Sequence, residues 1–439
     1  MATLKAFLPS VILVWLLAAC TPASSVLATE GTRLPPAEVT LLASPSITAS
    51  VTPTLQSTFT PSPTPSNAPD LRGETISLVY LCDRSGPFSD ALGSRVQAVE
   101  DTLAALNEAG GVFGATLELH LADTGGIADS AQRALTRMVR RFGEGPLILI
   151  CDAGTEAAVR DRLSEDEIPA LGPGVFAEPR GYLFGVDSTP QEQLRFFLEE
   201  LGARWRQLQP QGAPEEIRVA ILAWPQELAN NLDGEAALEE FDDPDLEIVL
   251  QADLAADPYA NIFDLIYRVR DANANVIYTN ARGFSMAALL NALHDLGLRQ
   301  RFVIGAPALA FDAQVYGYLQ DPSYAQGLLL TSAWAWWSET GVTGVRELLA
   351  LQPDSNEHDW GYLQMAGAMS VARRALEDAI LAEGFEQLSP ETVQAALAEL
   401  ENYPAAGGLF TVDFTGGQRS LTELRLWQLG AGLWELTIP

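Results

Sequence analysis

The sequence predicts an α/β protein made of two successive doubly wound, Rossmann-like lobes. From Glu74 onward, short apolar runs of β type alternate with helical periodicity, which is typical of parallel sheets covered by helices. The alternation ends near Thr189 and then begins again, so the chain divides into two units. Of the 439 residues, all but about seventy remain for these units, which is enough for two lobes of ordinary domain size.

Residues 1–19 are predicted to be a lipoprotein signal peptide. The basic residue Lys5 precedes an apolar run over residues 7–17, and the segment ends in a Leu-Ala-Ala-Cys sequence at Cys20. The run is too short to span a bilayer comfortably, and small residues before a cysteine suit cleavage and lipid modification. We therefore expect Cys20 to be the lipidated mature N-terminus. An ordinary secretory signal or a short anchor is the alternative.

Residues 20–70 are predicted to form a disordered tether. Ser, Thr, Pro and Ala dominate this segment, as in the alternating Thr/Ser-Pro sequence over residues 60–65. Such a composition cannot bury enough apolar surface to fold, and its prolines keep it extended. At about 3 Å per residue, the tether would hold the folded part up to ~150 Å from the membrane. No later segment has 18 consecutive apolar residues, so we expect attachment through the lipid alone.

The first series of elements predicts a five-stranded lobe. A helix follows the Ser85-Gly86-Pro87 turn, has apolar residues at steps of three and four, and stops at Gly110-Gly111. The strands are expected at Ile76–Leu81, Thr116–Leu121, Leu147–Ile150, Ala170–Gly172 and Tyr182–Val186.

The second series begins with a helix at Gln191–Trp205. Its strands are expected at Arg218–Ala223, Leu246–Gln251, Val276–Tyr278 and Phe302–Ile304. A strand at Gly327–Thr331, a long helix at His358–Ala382 and a terminal hairpin follow, the hairpin pairing Leu409–Phe414 with Leu421–Gln428 through Gly416-Gly417. Ligands of doubly wound sheets sit beyond the carboxyl ends of the strands, so the cleft between the lobes is the predicted binding site.

Two local sequences carry a resemblance to a known family. They are Ser85-Gly86-Pro87 after the first strand, and the Asn-x-Ala-Gly-Gly-Val-x-Gly turn over residues 107–114. With the order of elements, they resemble the branched-chain amino-acid-binding family of ABC-transporter substrate-binding proteins, the periplasmic binding protein type I fold. The resemblance covers about Glu74 to Pro439.

The resemblance implies two lobes joined by three hinge crossovers, a small-molecule ligand held between them, and delivery to an ABC permease. It places residues 71–189 and 308–410 in lobe I, and residues 190–307 and 411–439 in lobe II. It also implies that loops after the first, third and fourth strands supply ligand-binding groups. The residues concerned are Ser85, Phe88, Gly154, Thr155, Gly174 and Phe176.

Several of these positions have a second interpretation or depart from the family pattern. Thr155, at the start of a helix, is suited to an anion but equally to a helix cap. The acid that usually holds an ammonium group is missing from residues 280–285, and Leu228 and Phe176 also depart from the usual residue types. Arg282 is an alternative anchor for a carboxylate, although a solvated or surface-paired arginine is a competing interpretation.

Aromatic and cysteine residues add two further hypotheses. Trp334, in a cluster with Trp336 and Trp337, would line the cleft or pack between the lobes. Cys82 and Cys151 end the first and third strands, which lie side by side in a doubly wound sheet. They would form a disulfide or remain two buried thiols, and a soft-metal site with the adjoining aspartates is the remotest option.

Composition and motifs favour ligand capture over catalysis. The net charge of -31 disfavours a nucleic-acid partner through repulsion. His120, His294 and His358 are scattered without metal-ligand spacing, and no nucleophile elbow, Walker loop or His-Glu-x-x-His occurs. We therefore expect a non-enzymatic, extracytoplasmic, lipid-anchored binding protein without cofactor or metal. The alternative is a regulatory or sensory lipoprotein that uses the same fold to contact a protein partner.

Overall fold

The computed structural model describes residues 67–86, 89–142, 145–174, 181–224, 232–239, 245–254, 261–353, 358–430 and 436–437. The expected signal peptide, Cys20 and nearly all of the expected tether lie outside the described residues.

The first lobe contains a parallel five-stranded sheet in the order β2-β1-β3-β4-β5. Its strands are β1 (Thr75–Cys82), β2 (Thr116–Asp123), β3 (Ile148–Ile150), β4 (Ala170–Gly172) and β5 (Leu183–Gly185). Helices α1 (Ser89–Glu108), α2 (Ala128–Phe142) and α3 (Ala153–Glu165) alternate with the strands. Strands covered on both faces are continuously apolar, and this explains the buried Leu78–Cys82 run at the centre of the sheet. The five predicted strands are confirmed.

The turn after α1 shows why its sequence is distinctive. The Asn107 amide group donates to the carbonyl of Leu117 at 2.9 Å and accepts from the Leu117 amide at 2.8 Å, which ties the helix end to β2. Gly111 has a positive φ of 61°, and a Cβ there would lie 1.8 Å from the Ala115 carbonyl oxygen. The motif therefore specifies a tight helix-to-strand connection.

The second lobe repeats the pattern on a larger sheet. Strands β6 (Ile217–Ala223), β7 (Leu246–Asp253), β8 (Val276–Thr279), β9 (Val303–Pro307) and β10 (Leu329–Ser332) are parallel neighbours in the order β10-β9-β8-β6-β7. Its helices are α4 (Pro190–Leu208), α5 (Gly234–Glu239), α6 (Ile262–Asp271), α7 (Phe284–Asp295) and α8 (Ala313–Tyr318). Helix α4 begins with a capping box between Thr189 and Glu192 and with Pro190 in its first turn.

The last part of the chain returns to the first lobe and then to the second. It contains α9 (Thr343–Leu351), α10 (Trp360–Glu383), α11 (Pro390–Ala398), β11 (Tyr403–Ala405), β12 (Phe410–Val412), β13 (Arg425–Leu429) and β14 (Leu436–Thr437). Helix α10 packs along α1, and β11 pairs with β12 in a separate small sheet. Strand β13 joins the second sheet antiparallel to β10, with β14 beyond it.

These pairings correct two sequence-based expectations. The predicted terminal hairpin is wrong, because β12 pairs with β11 and β13 pairs with β10, so Gly416-Gly417 lies between two sheets. The expected boundaries also differ, since β10 belongs to the second sheet although residues 308–410 were assigned to lobe I, and β12 lies outside that sheet. A short apolar run carries no information about which sheet it joins.

Three crossovers connect the lobes, and they lie side by side. The first follows β5, the second follows β10 and the third lies between β12 and β13. The Leu421 amide donates to the Asp187 carbonyl at 3.0 Å, and the Ser188 hydroxyl donates to the Leu421 carbonyl. The Trp334 indole donates to the Val186 carbonyl at 2.9 Å, so all three crossovers form one hydrogen-bonded hinge.

A disulfide joins Cys82 and Cys151 across β1 and β3. Leu81 pairs with Ile150 in the parallel register, so the next residues along each strand are neighbours. Both cysteines are fully buried. Within the described residues, no helix combines the length and apolar character needed to cross a membrane.

We predict that replacing both cysteines by alanine lowers the free energy of unfolding by ~2–4 kcal/mol, because the crosslink closes a long loop in the unfolded chain. Urea unfolding followed by tryptophan fluorescence would measure the change. Cys20→Ala, which removes the remaining cysteine, is the matched control and should leave the stability unchanged. A double variant as stable as the parent would show that the crosslink does not stabilise the fold.

Candidate functional site

The loop after β1 is shaped by a buried carboxylate. Asp83 accepts from the amides of Ser85 at 3.2 Å and Gly86 at 2.6 Å. A Cβ on Gly86 would lie 2.5 Å from both Asp83 Oδ2 and the Gly125 carbonyl oxygen, so only glycine fits. Ser85 is exposed at this edge of the sheet, and Phe88 lies outside the described residues.

The N-terminus of α3 is capped by a carboxylate of the protein itself. Asp152 caps the helix by accepting from the Thr155 amide at 2.7 Å. The buried Thr155 hydroxyl lies 3.0 Å from the Thr124 hydroxyl, and Gly154 is exposed beside it. These contacts fit the alternative interpretation of Thr155 as part of a helix cap, and its role as a ligand-binding residue stays a prediction.

The loop after β4 is hydrogen-bonded to Glu156 of α3. The Gly174 amide donates to Glu156 Oε2 at 2.9 Å. Gly174 has a φ of 74°, and a Cβ there would lie 2.6 Å from the Gly185 Cα, so glycine allows the loop to pass close to β5. Its amide is therefore engaged within the protein. Phe176 and Leu228 lie outside the described residues.

Trp334 belongs to the hinge packing. Its side chain is fully buried, and its indole nitrogen bonds to the first crossover. Trp334 and Trp336 both contact Trp360 of α10, with ring centroids 6.2 and 4.2 Å apart. Trp337 stacks on His358 at 4.0 Å. This geometry fits the interlobe-packing interpretation of Trp334, and its contribution to a binding cleft stays a prediction.

Arg282 follows β8 at the cleft edge of the second sheet. It is half-buried, and its guanidinium makes no hydrogen bond or ion pair with any residue that the structure describes. It interacts electrostatically with Arg95, Asp187 and Asp312. The structure thus places Arg282 within electrostatic range of charged side chains from both lobes, and its role as a carboxylate anchor stays a prediction.

Arg95 of α1 is one residue of this group that sequence reasoning missed. Only 4% of it is exposed, although it is a charged side chain in the first lobe. Its Nη1 donates to the Cys151 carbonyl at 2.6 Å, and its buried Nε has no hydrogen-bond partner among the described residues. The signal was its position between Leu92 and Val99 at helical steps of three and four, which places it on the buried face.

Gly361 makes room for this arginine. A Cβ at that position would lie 2.8 Å from Arg95 Cγ and 2.9 Å from Arg95 Nε. Burial lowers the pKa of the Arg95 guanidinium, and the nearby charge of Arg282 lowers it further. A buried cation with unsatisfied donors is costly to the fold, which indicates a functional role.

Four carboxyl groups surround the two arginines, and each already accepts a backbone hydrogen bond from its own element. Asp152 caps α3, Asp312 caps α8 through the Val315 amide, and Asp359 caps α10 through the Tyr362 amide. Asp187 accepts from the Ser188 amide at 2.8 Å.

Asp187 and Asp312 are two of these carboxyl groups whose pKa values are raised. Burial raises the pKa of Asp187 to about 8, although the Ser188 amide and Arg282 favour its ionised form. Burial also raises the pKa of Asp312 to about 6. Sequence reasoning missed both residues because neither follows the strand where the family places its acid.

We predict that Asp187→Asn makes the free energy of unfolding less dependent on pH between about 4 and 8. The raised pKa means that the proton on Asp187 stabilises the folded state fully below the unfolded pKa near 3.8, and that this contribution is lost as the pH rises through about 8. The variant should therefore gain stability relative to the parent with rising pH, by up to ~1.4 kcal/mol per pH unit.

Urea unfolding at pH 5, 6, 7 and 8 tests this. Asp271→Asn, at an exposed carboxylate, is the matched control and should leave the pH profile unchanged. Parallel profiles for the parent and the Asp187 variant would show that this carboxyl group does not titrate abnormally.

Comparison with known proteins gives a family and a fold. A model of the periplasmic binding protein family matches residues 75–430. None of the curated protein sequences is significantly similar to the chain. Within the described residues, no three His, Cys, Asp or Glu side chains are arranged to hold a metal ion.

Solved structures of binding proteins resemble the chain over both lobes. A branched-chain amino acid ABC transporter protein from Thermus thermophilus with bound valine shares 20% identity, covering 84% of this chain and 96% of that one, with a TM-score of 0.70. A solute-binding protein from R. palustris in complex with 4-hydroxybenzoate shares 16% identity over 83% and 96% of the chains, with a TM-score of 0.65. A branched-chain amino acid transporter substrate-binding protein from Streptococcus pneumoniae in complex with isoleucine shares 13% identity over 83% and 100%, with a TM-score of 0.64.

These likenesses concern the fold, and they confirm the family and fold class predicted from the sequence. The family match spans both sheets and the hinge between them. The chain therefore belongs to the periplasmic binding protein family, whose members serve ABC transporters as solute-binding proteins.

Proposed function

We propose that this chain captures a small ligand between its lobes, an amino acid or a related small carboxylate or amide, and delivers it to an ABC importer. The observation that carries the proposal is the set of charged side chains shared by the two lobes. Arg282 of the second lobe lies near Arg95 of the first and has no partner among the described residues. Polar groups that converge from two lobes on one cleft favour a ligand that bridges them.

The hinge supports capture by closure. The three crossovers are short, adjacent and hydrogen-bonded to one another, so the lobes can rotate about one narrow region. Closure around a ligand excludes water and selects the closed state by differential affinity. This mechanism needs no chemical change in the ligand, and we propose that the chain is not an enzyme.

The ligand class is proposed from the cleft and from the structural neighbours. Those neighbours hold valine, isoleucine and 4-hydroxybenzoate, which all carry a carboxylate. The loops after β1, β3 and β4 are expected to approach the ligand at Ser85, Phe88, Gly154 and Phe176. The absence of an acid over residues 280–285 argues against a simple copy of a branched-chain amino-acid site.

The cellular setting is proposed from the N-terminal sequence. Lipid modification at Cys20 would anchor the chain outside the cytoplasm, and residues 21–70 would let the lobes reach the permease. The net charge of -31 leaves nucleic acid outside the expected partners.

We predict that one class of small solutes raises the thermal midpoint of the purified full chain by several degrees, because binding to the native state stabilises it by mass action. The screen compares amino acids, amides, aromatic acids and sugars. Small-angle scattering with the hit should show a smaller radius of gyration as the lobes close. A protein that no class stabilises would instead support the regulatory or sensory lipoprotein.

We predict that Cys20→Ala releases the chain from the membrane fraction, because the lipid is its proposed attachment. Fractionation of cells that express the parent and the variant measures this, with Ser25→Ala as the control that keeps both the lipobox and the disulfide. Retention of the variant in the membrane would contradict lipidation at Cys20.

A further inference from the structure

We propose that Arg95 and Arg282 form an anion clamp, in which the carboxylate of the ligand sits between one guanidinium from each lobe. This inference rests on the proposed function and names the ligand group that the cleft recognises. Among the described residues, the Nε of buried Arg95 in the first lobe has no hydrogen-bond partner, and Arg282 at the end of β8 in the second lobe has no hydrogen bond or ion pair. A guanidinium presents its donors in a fork that matches a carboxylate.

The two arginines are brought together by contacts between the lobes. Arg282 precedes Gly283, where a Cβ would lie 2.6 Å from Gln314 Oε1, so this loop lies directly on α8. Helix α8 in turn packs against α1, which carries Arg95. The electrostatic coupling of the two guanidiniums agrees with this geometry.

The surrounding acids do not replace an external anion. Asp152, Asp312 and Asp359 are helix caps, and Asp187 accepts from the hinge backbone. No described carboxylate forms an ion pair with Arg95 or Arg282. The two arginines therefore keep N–H donors without an acceptor among the described residues. A carboxylate supplies acceptors for such donors.

The clamp also links ligand charge to closure. The charge of Arg282 disfavours the charged form of Arg95, whereas Asp359 and Asp152 favour it. Bringing the two guanidiniums together across the lobes therefore has an electrostatic cost that an anion between them reduces. An anion between them replaces repulsion with two charge-assisted contacts. Only a ligand that carries the anion then stabilises the closed state, because a neutral analogue has no such differential affinity.

The test is isothermal titration calorimetry on the purified full chain with matched acid and amide probes. The pairs are L-valine with L-valinamide, 3-methylbutanoate with 3-methylbutanamide, and 4-hydroxybenzoate with 4-hydroxybenzamide. We expect at least one acid to bind about 30-fold or more tightly than its amide. Arg95→Gln and Arg282→Gln should each weaken the binding of that acid by about 30-fold or more, which is typical for removing one partner of a buried charge pair.

Two further variants make the test specific. Arg299→Gln is the matched control, because Arg299 is a half-buried arginine of the second lobe that bonds to backbone carbonyls and lies before β9, away from the cleft edge. It should keep the parent affinity.

Gly361→Ala displaces the Arg95 side chain without removing its charge and should also weaken binding of the acid. This variant tests the role of Arg95 even if the Arg95→Gln protein does not fold.

The outcomes separate this proposal from the proposed function. Equal affinity for acid and amide, or unchanged affinity in the arginine variants, would overturn the clamp while solute capture stands. If sugars or other neutral solutes bind and none of the acids does, the clamp would likewise be overturned while solute capture stands. Failure of every solute class to bind would overturn both.

Discussion

The three crossovers at the hinge determine how the rest of the molecule is arranged. Each is short, and the three are held together by hydrogen bonds that join Asp187, Ser188 and Leu421, and by the indole of Trp334 on the Val186 carbonyl. Because these bonds fix the crossovers side by side, the carboxyl ends of both parallel sheets face one cleft. Charged residues from both lobes, among them Arg95 on α1 and Arg282 after β8, then come within electrostatic range of one another although they are far apart in the sequence.

Several charged side chains are buried where the two lobes meet. Burial raises the pKa of Asp187 and Asp312 and lowers that of Arg95, so the fold keeps these groups at a cost in stability. The carboxyl groups offset part of the cost of their burial by capping helices or by accepting hydrogen bonds from backbone amides. The arginines offset less of the cost of their burial, because Arg95 Nε has no hydrogen-bond partner among the described residues. A ligand that accepts hydrogen bonds from them would stabilise the closed molecule.

The motifs that revealed the family are structural in this chain. Asn107 ties α1 to β2, and Gly86 leaves room for the carboxylate of Asp83. Gly174 lies outside these motifs, but it too has a structural role, because it passes close to β5 while its amide bonds to Glu156. The two motifs each specify a connection between a helix and a strand, which explains why they predicted the fold well, while the ligand contacts stay predictions. Thr155 follows the same pattern, because its groups serve the cap and the core.

The sequence by itself determined the α/β class, the ten parallel strands and the long helix α10, because apolar periodicity and turn residues act over a few positions. It also placed Cys82 and Cys151 at the ends of neighbouring strands. Only the tertiary structure decided that β12 and β13 lie in different sheets, that β10 lies in the second sheet between β9 and β13, and that Arg95 approaches Arg282. Sheet membership and charge proximity depend on packing between distant segments, which no local pattern encodes.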